Sequence, residues 1–308
     1  MHATRHTLPG GRWHFQHGPI DLILQAEGEP LVVAACHEQA WLRFSALLQQ
    51  LVDELPALRA PVRGPCGLRG VVARRMWAAC APYRAGFITP MAAVAGAVAQ
   101  EILGCYADAG IDRAWVNNGG DIALHLASGQ STAVGVYCDL SALDATQLRD
   151  GLLLDGQIHI TSAMPVRGVA TSGWRGRSQS LGIADSVTVL ARTAAEADAA
   201  ATIVANAVDV ADPRIQRLPA RQVRDDSDLG DIPVTVDVPL LHHAQVRRAL
   251  QQGLQKAQEL QSRGLLWCAL LACQGQFVVA TANEDAATQV MARSSGPIIS
   301  TEVGSVFA

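Results

Sequence analysis

The chain has 308 residues, of which 49% are hydrophobic and 17% charged, and its formal net charge is −4. This apolar content excludes an intrinsically disordered protein, which combines low hydrophobicity with high charge. The slightly acidic balance argues against a dedicated nucleic-acid-binding protein, which carries a basic surface. The length predicts one large domain or two interlocked halves.

The seven cysteines are widely spaced and form no CxxC pair, so a disulfide framework or a zinc site is not expected. Scattered buried thiols are typical of a reducing compartment. Residues Met1–Phe15 lack the apolar core of a signal peptide, and the low-charge run Ile88–Gln100 is too short to cross a bilayer. The sequence therefore predicts a cytoplasmic protein without a membrane segment.

The first half of the chain is predicted to alternate strands and helices. A hairpin is predicted over Arg12–Ala26 and a helix over Glu38–Leu55, from the spacing of their apolar residues. The segment Pro56–Arg75 is rich in Pro, Gly and Arg and is predicted as a loop. Thr89 before Pro90 predicts a capped start for a helix that reaches about Tyr106.

The second half is predicted to be richer in strands. The predicted strands are two within Arg113–Leu126, then Thr132–Cys138, Gln157–Ser162, Gly168–Ser172, Ser186–Ala191, Leu265–Leu271 and Gln276–Thr281. Antiparallel strands interrupted by helices predict an α+β fold rather than a doubly wound sheet.

Two helices separate these late strands. Thr193 and Glu196 form a capping box for a helix that reaches about Val208, and a further helix covers Val246–Gln261. We expect a surface connection over 212–233 and a C-terminal helix with its hairpin over 244–281. The tail from Ala287 onward has little periodicity.

The densest candidate site is the glycine-rich loop that follows the predicted strand Gly168–Ser172. The hydroxyl of Ser172 and the backbone of Gly173 can approach phosphate oxygens, and Arg175 and Arg177 add fixed positive charge. The same residues fit an ordinary solvated loop, and residue types alone do not decide between the two. No GxGxxG follows a strand, and GxxxxGK[ST], GxSxG and HExxH are absent.

Two other clusters carry polar groups at suggestive spacing. Asp198 and Thr202 are four residues apart on one helix face, where a carboxylate and a hydroxyl can hold a hard cation. They also fit the polar face of an alanine-rich helix. Gly119 and Gly120 form a predicted tight turn that exposes backbone amides beside Asp121.

Small residues dominate a fourth segment, Pro90–Gly96, which allows close approach of another helix or of a flat ligand. Tight packing alone would also explain this composition.

Taken together, the clusters resemble the ApbE family, the FAD:protein FMN transferases, and more closely its uncharacterised ApbE-related relatives in archaea and bacteria. The matching segments, in family order over roughly residues 85–210, are Pro90–Gly96, Asn118–Asp121, Ala170–Gly173, Ala184–Val189 and Ala197–Thr202. The resemblance implies one ApbE-like domain over 1–308 with a T-fold-like α+β architecture. In that architecture antiparallel sheets carry packed helices, and a ligand lies in a groove between two halves.

The resemblance also implies which residues bind which ligands. Asp198 and Thr202 would bind Mg²⁺, which neutralises the FAD pyrophosphate as the FMN–AMP bond breaks. The residues implied to line the site for FAD or FMN, together with the two arginines, are Gly119, Gly120, Asp121, Thr171, Ser172, Gly173, Arg175 and Arg177.

One segment departs from the family pattern. FMN transferases of the family follow the serine-glycine segment with a His-rich stretch ending in Asp-Pro-x-Thr-Gly, whereas Trp174–Gly182 contains no histidine here. Arginine does not act as a base at neutral pH, so the transfer chemistry is in doubt and no catalytic residue is assigned.

Three functions therefore stay open. The favoured one is a protein that binds a flavin or a similar phosphorylated aromatic ligand with Mg²⁺ but is not expected to transfer FMN from FAD as the family's transferases do. The alternatives are an active FAD:protein FMN transferase, and a structural, assembly or pterin-linked one-carbon role. The sequence leaves open whether the chain is an enzyme and whether it forms a homo-oligomer.

Overall fold

The computed structural model describes residues 2–136 and 156–281 of the chain. The strands are β1 (Thr4–Leu8), β2 (Arg12–His17), β3 (Ile20–Gly28), β4 (Ile111–Asn118), β5 (Asp121–Leu126), β6 (Ser131–Val136), β7 (Gly156–Thr161), β8 (Gly168–Ser172), β9 (Ser186–Ala191), β10 (Gln216–Pro219), β11 (Pro233–Asp237), β12 (Cys268–Cys273) and β13 (Gln276–Thr281). The α-helices are α1 (Pro30–Asp53), α2 (Leu55–Leu58), α3 (Val71–Cys80), α4 (Val94–Leu103), α5 (Ala194–Ala207), α6 (Ala220–Val223) and α7 (His243–Ser262).

The main sheet has nine strands in the order β1-β2-β3-β4-β5-β8-β9-β12-β13. Every neighbouring pair in it is antiparallel. The pairs β6–β7 and β10–β11 form two separate antiparallel ribbons. Antiparallel sheets combined with helices confirm the predicted α+β class.

The helices supply the larger of two hydrophobic cores. Helix α1 packs on β2 and β3, α4 on β4 and β5, α5 on β8 and β9, and α7 on β12 and β13. A smaller core contains Leu124 and Leu190 of the main sheet with Ile158 and Ile160 of β7. No helix within the described ranges has the length and apolar character needed to span a membrane.

Helix α5 lies so close to its neighbours that glycine is required at the contacts. A Cβ atom on Gly96 of α4 would lie 2.2 Å from the Ala194 carbonyl oxygen, and one on Gly168 of β8 would lie 2.2 Å from the Ala194 amide nitrogen. Real side chains do not approach backbone atoms this closely. The start of α5 is therefore fixed between α4 and β8.

Most predicted strands are confirmed where the structure describes them. The hairpin over Arg12–Ala26, the paired strands within Arg113–Leu126, and the strands Gly168–Ser172 and Ser186–Ala191 are all present. The end of the strand predicted over Thr132–Cys138 lies outside the described residues, as does the tail from residue 287.

Several helix boundaries differ from the predicted ones. Helix α1 begins at Pro30 rather than Glu38, since proline is favourable in the first turn of a helix. The segment predicted as the loop Pro56–Arg75 begins inside α2 and ends inside α3, whose apolar residues Val72 and Met76 are buried. The helix predicted from Pro90 starts as a 3₁₀ turn over Pro90–Ala93 and is α-helical only from Val94.

The two predicted caps have different outcomes. Thr193 accepts a hydrogen bond from the Glu196 amide at 3.2 Å, whereas the Glu196 carboxylate pairs with Arg192 rather than completing a capping box. Thr89 makes no side-chain cap, and its hydroxyl instead donates to the Asp228 carboxylate. The predicted capping role of Thr89 is therefore wrong, because a carboxylate distant in sequence engages the hydroxyl.

We expect Gly96→Ala to lower the free energy of unfolding by about 1–3 kcal/mol, because the added methyl group forces α4 and α5 apart. Gly104→Ala is a matched control, since a Cβ atom there meets no atom within 4 Å and its backbone φ is −55°. That control should raise stability by roughly 0.4–1 kcal/mol. Urea unfolding of both variants measures the difference, and equal stability of the two would contradict the proposed close contact.

Candidate functional site

The candidate site lies where four segments meet: the start of α4, the β4–β5 turn, the end of β8 and the early part of α5. Two carboxyl groups define it. Asp121 is the first residue of β5, and Asp198 lies in α5. Ala123, which shares a face of β5 with Asp121, belongs to the core beneath the helices. The site is therefore on the helical face of the sheet.

Asp198 holds the first turn of α4. Its Oδ2 atom accepts a hydrogen bond from the Gly96 amide at 2.9 Å, and the Ala95 amide also donates to the carboxylate. The residue in the N-cap position of α4, Ala93, has no side-chain oxygen to satisfy these amides. Asp198 thus caps α4 from another helix and is stabilised by the positive end of the helix dipole.

Asp121 connects the Asp198 carboxylate to the main sheet. Its Oδ1 atom accepts a hydrogen bond from the Thr171 amide of β8 at 3.1 Å, and the residue is only 8% exposed. The carboxyl groups of Asp121 and Asp198 are also within hydrogen-bonding reach of each other. Two carboxylates repel at this range, so a proton or a cation must lie between them.

The surroundings raise both pKa values. Burial raises the pKa of Asp121 well above its usual range, and the neighbouring Asp198 raises it further. Burial also raises the pKa of Asp198 to about 7, although the hydrogen bond from the Gly96 amide opposes the shift. The pair therefore favours an added positive charge near neutral pH.

Thr202 lies one turn further along α5 than Asp198 and is partly buried. Within the described residues its hydroxyl has no hydrogen-bond partner. Residues 2–136 and 156–281 contain no group of three or more His, Cys, Asp and Glu side chains that could hold a metal ion. A cation at Asp121, Asp198 and Thr202 would therefore need water or ligand oxygens to complete its shell, which is typical of Mg²⁺.

The β4–β5 turn forms one wall of the site. Gly119 and Gly120 have φ angles of 65° and 109°, which favour glycine and close the two-residue turn. Asn118 fixes the turn to α4, because its side-chain amide donates to the Ala95 carbonyl at 3.1 Å. The Nη1 atom of Arg177 lies 3.3 Å from where a Cβ atom on Gly119 would be.

The end of β8 forms the opposite wall. Ser172 is 9% exposed, and a Cβ atom on Gly173 would lie 2.3 Å from the Asp185 carbonyl oxygen. Thr171 contributes its backbone amide to Asp121, whereas its hydroxyl shares a hydrogen bond of 2.9 Å with Thr188 of β9. The structure therefore brings five of the predicted site residues together, each in contact with another of the group or with its neighbour in the turn: Gly119, Asp121, Thr171, Arg177 and Asp198.

Sequence reasoning missed a second acidic contact beside the pair. The Asp228 carboxylate accepts the Thr89 hydroxyl, 139 residues away in sequence. Burial raises the pKa of the Cys80 thiol, and the charges of Asp198 and Asp228 raise it further, so both carboxylates lie near this thiol. The segment expected as a surface connection therefore reaches the border of the site.

Comparisons with known proteins give a consistent result. A family model described as "AbpE bacteria" matches residues 5–279. A UPF0280 protein of Methanopyrus kandleri is 37% identical over 224 residues, which cover 70% of this chain and 83% of the relative. One of Methanospirillum hungatei is 30% identical over 208 residues, 65% of this chain and 77% of the relative.

A further UPF0280 protein, from Methanothrix thermoacetophila, is 40% identical over 138 residues. The match covers 44% of this chain and 52% of that relative, so the chain spans about half the length of that relative.

The carboxyl pair predicts a pH dependence of stability in metal-free buffer. The folded pKa of Asp198 lies above the unfolded value, so folding takes up a proton and stability falls as pH rises toward the folded pKa of about 7. One such proton is worth about 2 kcal/mol between about pH 5.5 and about pH 7. Asp198→Asn should flatten this slope in urea unfolding with a chelator present. An unchanged slope would contradict the proton held between the two carboxyl groups.

Proposed function

We infer, from the premise that the chain belongs to the AbpE bacteria family, that it binds a flavin such as FAD or FMN, or a similar phosphorylated aromatic ligand, together with Mg²⁺. The single observation that carries the proposal is the carboxyl pair Asp121–Asp198, whose pKa values are both raised. Such a pair destabilises the free protein. Binding of a positively charged group between the two carboxylates relieves this destabilisation.

The donor set supports a hard divalent cation. Asp121 and Asp198 supply carboxylate oxygens, and Thr202 supplies a hydroxyl without another partner among the described residues. Mg²⁺ prefers oxygen ligands and commonly combines one or two carboxylates with waters and substrate phosphates. When bound, Mg²⁺ would neutralise phosphate charge at this position.

The surroundings of the carboxyl pair support a phosphorylated ligand. The turn at Gly119 and Gly120 exposes backbone beside Asp121, and Arg177 lies against this turn. Backbone amides and a guanidinium group are a common combination for phosphate oxygens. The cation and the arginine would then bind the phosphate from two sides.

The residues of this chain have separable tasks in such a complex. The Gly96 amide and the Thr171 amide orient the carboxylates of Asp198 and Asp121, respectively. Gly173 keeps β8 close to Asp185, so the backbone after Ser172 runs near the site. These groups position and bind a ligand, and none of them needs to transfer a proton for that purpose.

We expect FAD binding to require the cation. Asp198→Asn keeps an oxygen for the Gly96 amide but removes the charge, so Mg²⁺ should no longer strengthen FAD binding in calorimetric titration. Glu196→Gln is a matched control on the same helix, because Glu196 pairs with Arg192 at the surface. Equal FAD affinity of the unaltered protein with and without Mg²⁺ would reject the shared site. Absence of FAD binding under both conditions would favour a structural role or a different ligand.

We also expect no transfer of FMN from FAD to the threonine of a standard acceptor at the rate of active family members. That reaction needs a positioned base, which contributes about 10²–10⁴-fold. The segment Trp174–Leu181 contains no His, Asp, Glu or Lys. The test incubates the protein with FAD, Mg²⁺ and an acceptor carrying the flavinylation motif, followed by mass measurement. An active FMN transferase serves as the positive control, and covalent FMN at a comparable rate would restore the transferase function.

A further inference from the structure

The two arginines of the loop after β8 are held in different ways. Arg175 is part of an ion pair and an aromatic stack, whereas among the described residues the guanidinium of Arg177 donates its hydrogen bond to a backbone carbonyl. Because the residues are only two positions apart, one ligand could contact both guanidinium groups. The difference between their surroundings indicates which part of a ligand each would bind.

Arg175 is electrically compensated and fixed in orientation. Its guanidinium carbon lies 4.7 Å from the centre of the Trp174 ring, and its Nε atom donates to Asp185 Oδ1 at 3.2 Å. The Trp174 indole N–H donates to the same oxygen at 3.3 Å, and the backbone N–H of Gln274 donates to the other carboxylate oxygen of Asp185. The Arg175 side chain nevertheless stays 36% exposed, so part of its surface is open to a ligand.

Arg177 has no such compensation. Its Nη2 atom donates to the Pro19 carbonyl at 3.3 Å, and its own carbonyl accepts from Nη2 of Arg224 at 3.0 Å. Neither Arg177 nor Arg224 pairs with a carboxylate among the residues that the structure describes. The uncompensated guanidinium group of Arg177 therefore lies beside the Gly119 turn, next to the carboxyl pair.

The chemistry of guanidinium groups separates the two arginines. A guanidinium already neutralised by a carboxylate gains little from a further anion, but its weakly hydrated planar face still stacks on aromatic rings. An uncompensated guanidinium favours the oxygens of a phosphate group, whose negative charge it can neutralise. Arg175 meets the first description and Arg177 meets the second.

We propose that Arg175, held between Trp174 and Asp185, stacks on the aromatic ring of the ligand, while Arg177 binds its phosphate group. This assignment rests on the proposed function and divides the ligand between the two arginines. The phosphate end would then lie on the side of Asp121 and Asp198, and the ring on the side of Trp174.

Two flavins that differ only in the phosphate group test the assignment. Riboflavin carries the ring without phosphate, and FMN carries both, so their affinities are measured in Mg²⁺ buffer by flavin fluorescence. Arg175→Gln should weaken riboflavin and FMN by the same factor, about tenfold. Arg177→Gln should weaken FMN by about tenfold and leave riboflavin unchanged.

Two further variants separate binding from folding. Arg192→Gln removes an arginine that pairs with Glu196 away from the loop and should change neither affinity. Trp174→Phe retains an aromatic ring under Arg175 and should weaken both flavins less than Arg175→Gln does. Circular dichroism of each variant verifies the fold.

The reverse pattern would overturn the assignment: an Arg175→Gln effect on FMN alone, or an Arg177→Gln effect on both flavins. Unaltered protein that binds FMN but not riboflavin would overturn it as well, because stacking of Arg175 on the flavin ring does not need the phosphate group. If the unaltered protein binds neither flavin, the flavin part of the proposed function fails, which is distinct from a failure of the arginine assignment.

Discussion

The carboxylate of Asp198 is the point on which the arrangement of the site depends. It accepts the amides at the start of α4 and meets the carboxyl group of Asp121, which in turn accepts the Thr171 amide of β8. The two side chains thereby connect two helices and two strands that are distant in sequence. The glycine contacts of α5 leave no space for an alternative position of this helix. The close packing of small residues fixes the position of α5, and it thereby also fixes where Asp198 lies relative to Asp121.

That constraint conflicts with stability in the free protein. Burying two carboxyl groups side by side raises both pKa values, and a core built only for stability would replace at least one of them with an apolar residue. Local departures from the rules of good packing are expected at functional sites rather than elsewhere in a fold. The surrounding alanines and glycines show that the rest of α5 is packed closely, so the acid pair is an isolated departure. The destabilisation that this pair causes in the free protein is the physical argument for a bound cation.

The sequence predicted the parts of the site that depend on local pattern. The turn at Gly119 and Gly120, the strand ending at Ser172 and the cap at Thr193 follow from short-range rules, and the structure has all three. It could not predict that Thr89 would donate to Asp228 rather than cap a helix, because that contact joins residues 139 positions apart. Nor does any pattern reveal that Thr171 contributes its amide to Asp121. Contacts of this kind are determined by tertiary packing, which overrides local preference.

The segment 224–228 contacts both the loop after β8 and the residue that precedes the 3₁₀ turn before α4. Arg224 donates to the Arg177 carbonyl and Ser227 to the Gln179 side chain, both in the loop after β8, whereas Asp228 accepts the Thr89 hydroxyl just before α4. A movement of the loop after β8 relative to Thr89 would have to break these hydrogen bonds or move the segment 224–228 with it. The amides that orient Asp198 and the loop that carries the two arginines are thus positioned against the same short segment. Of the acidic stretch, Asp228 thus contacts a residue at the border of the candidate site, whereas Asp225 and Asp226 are exposed.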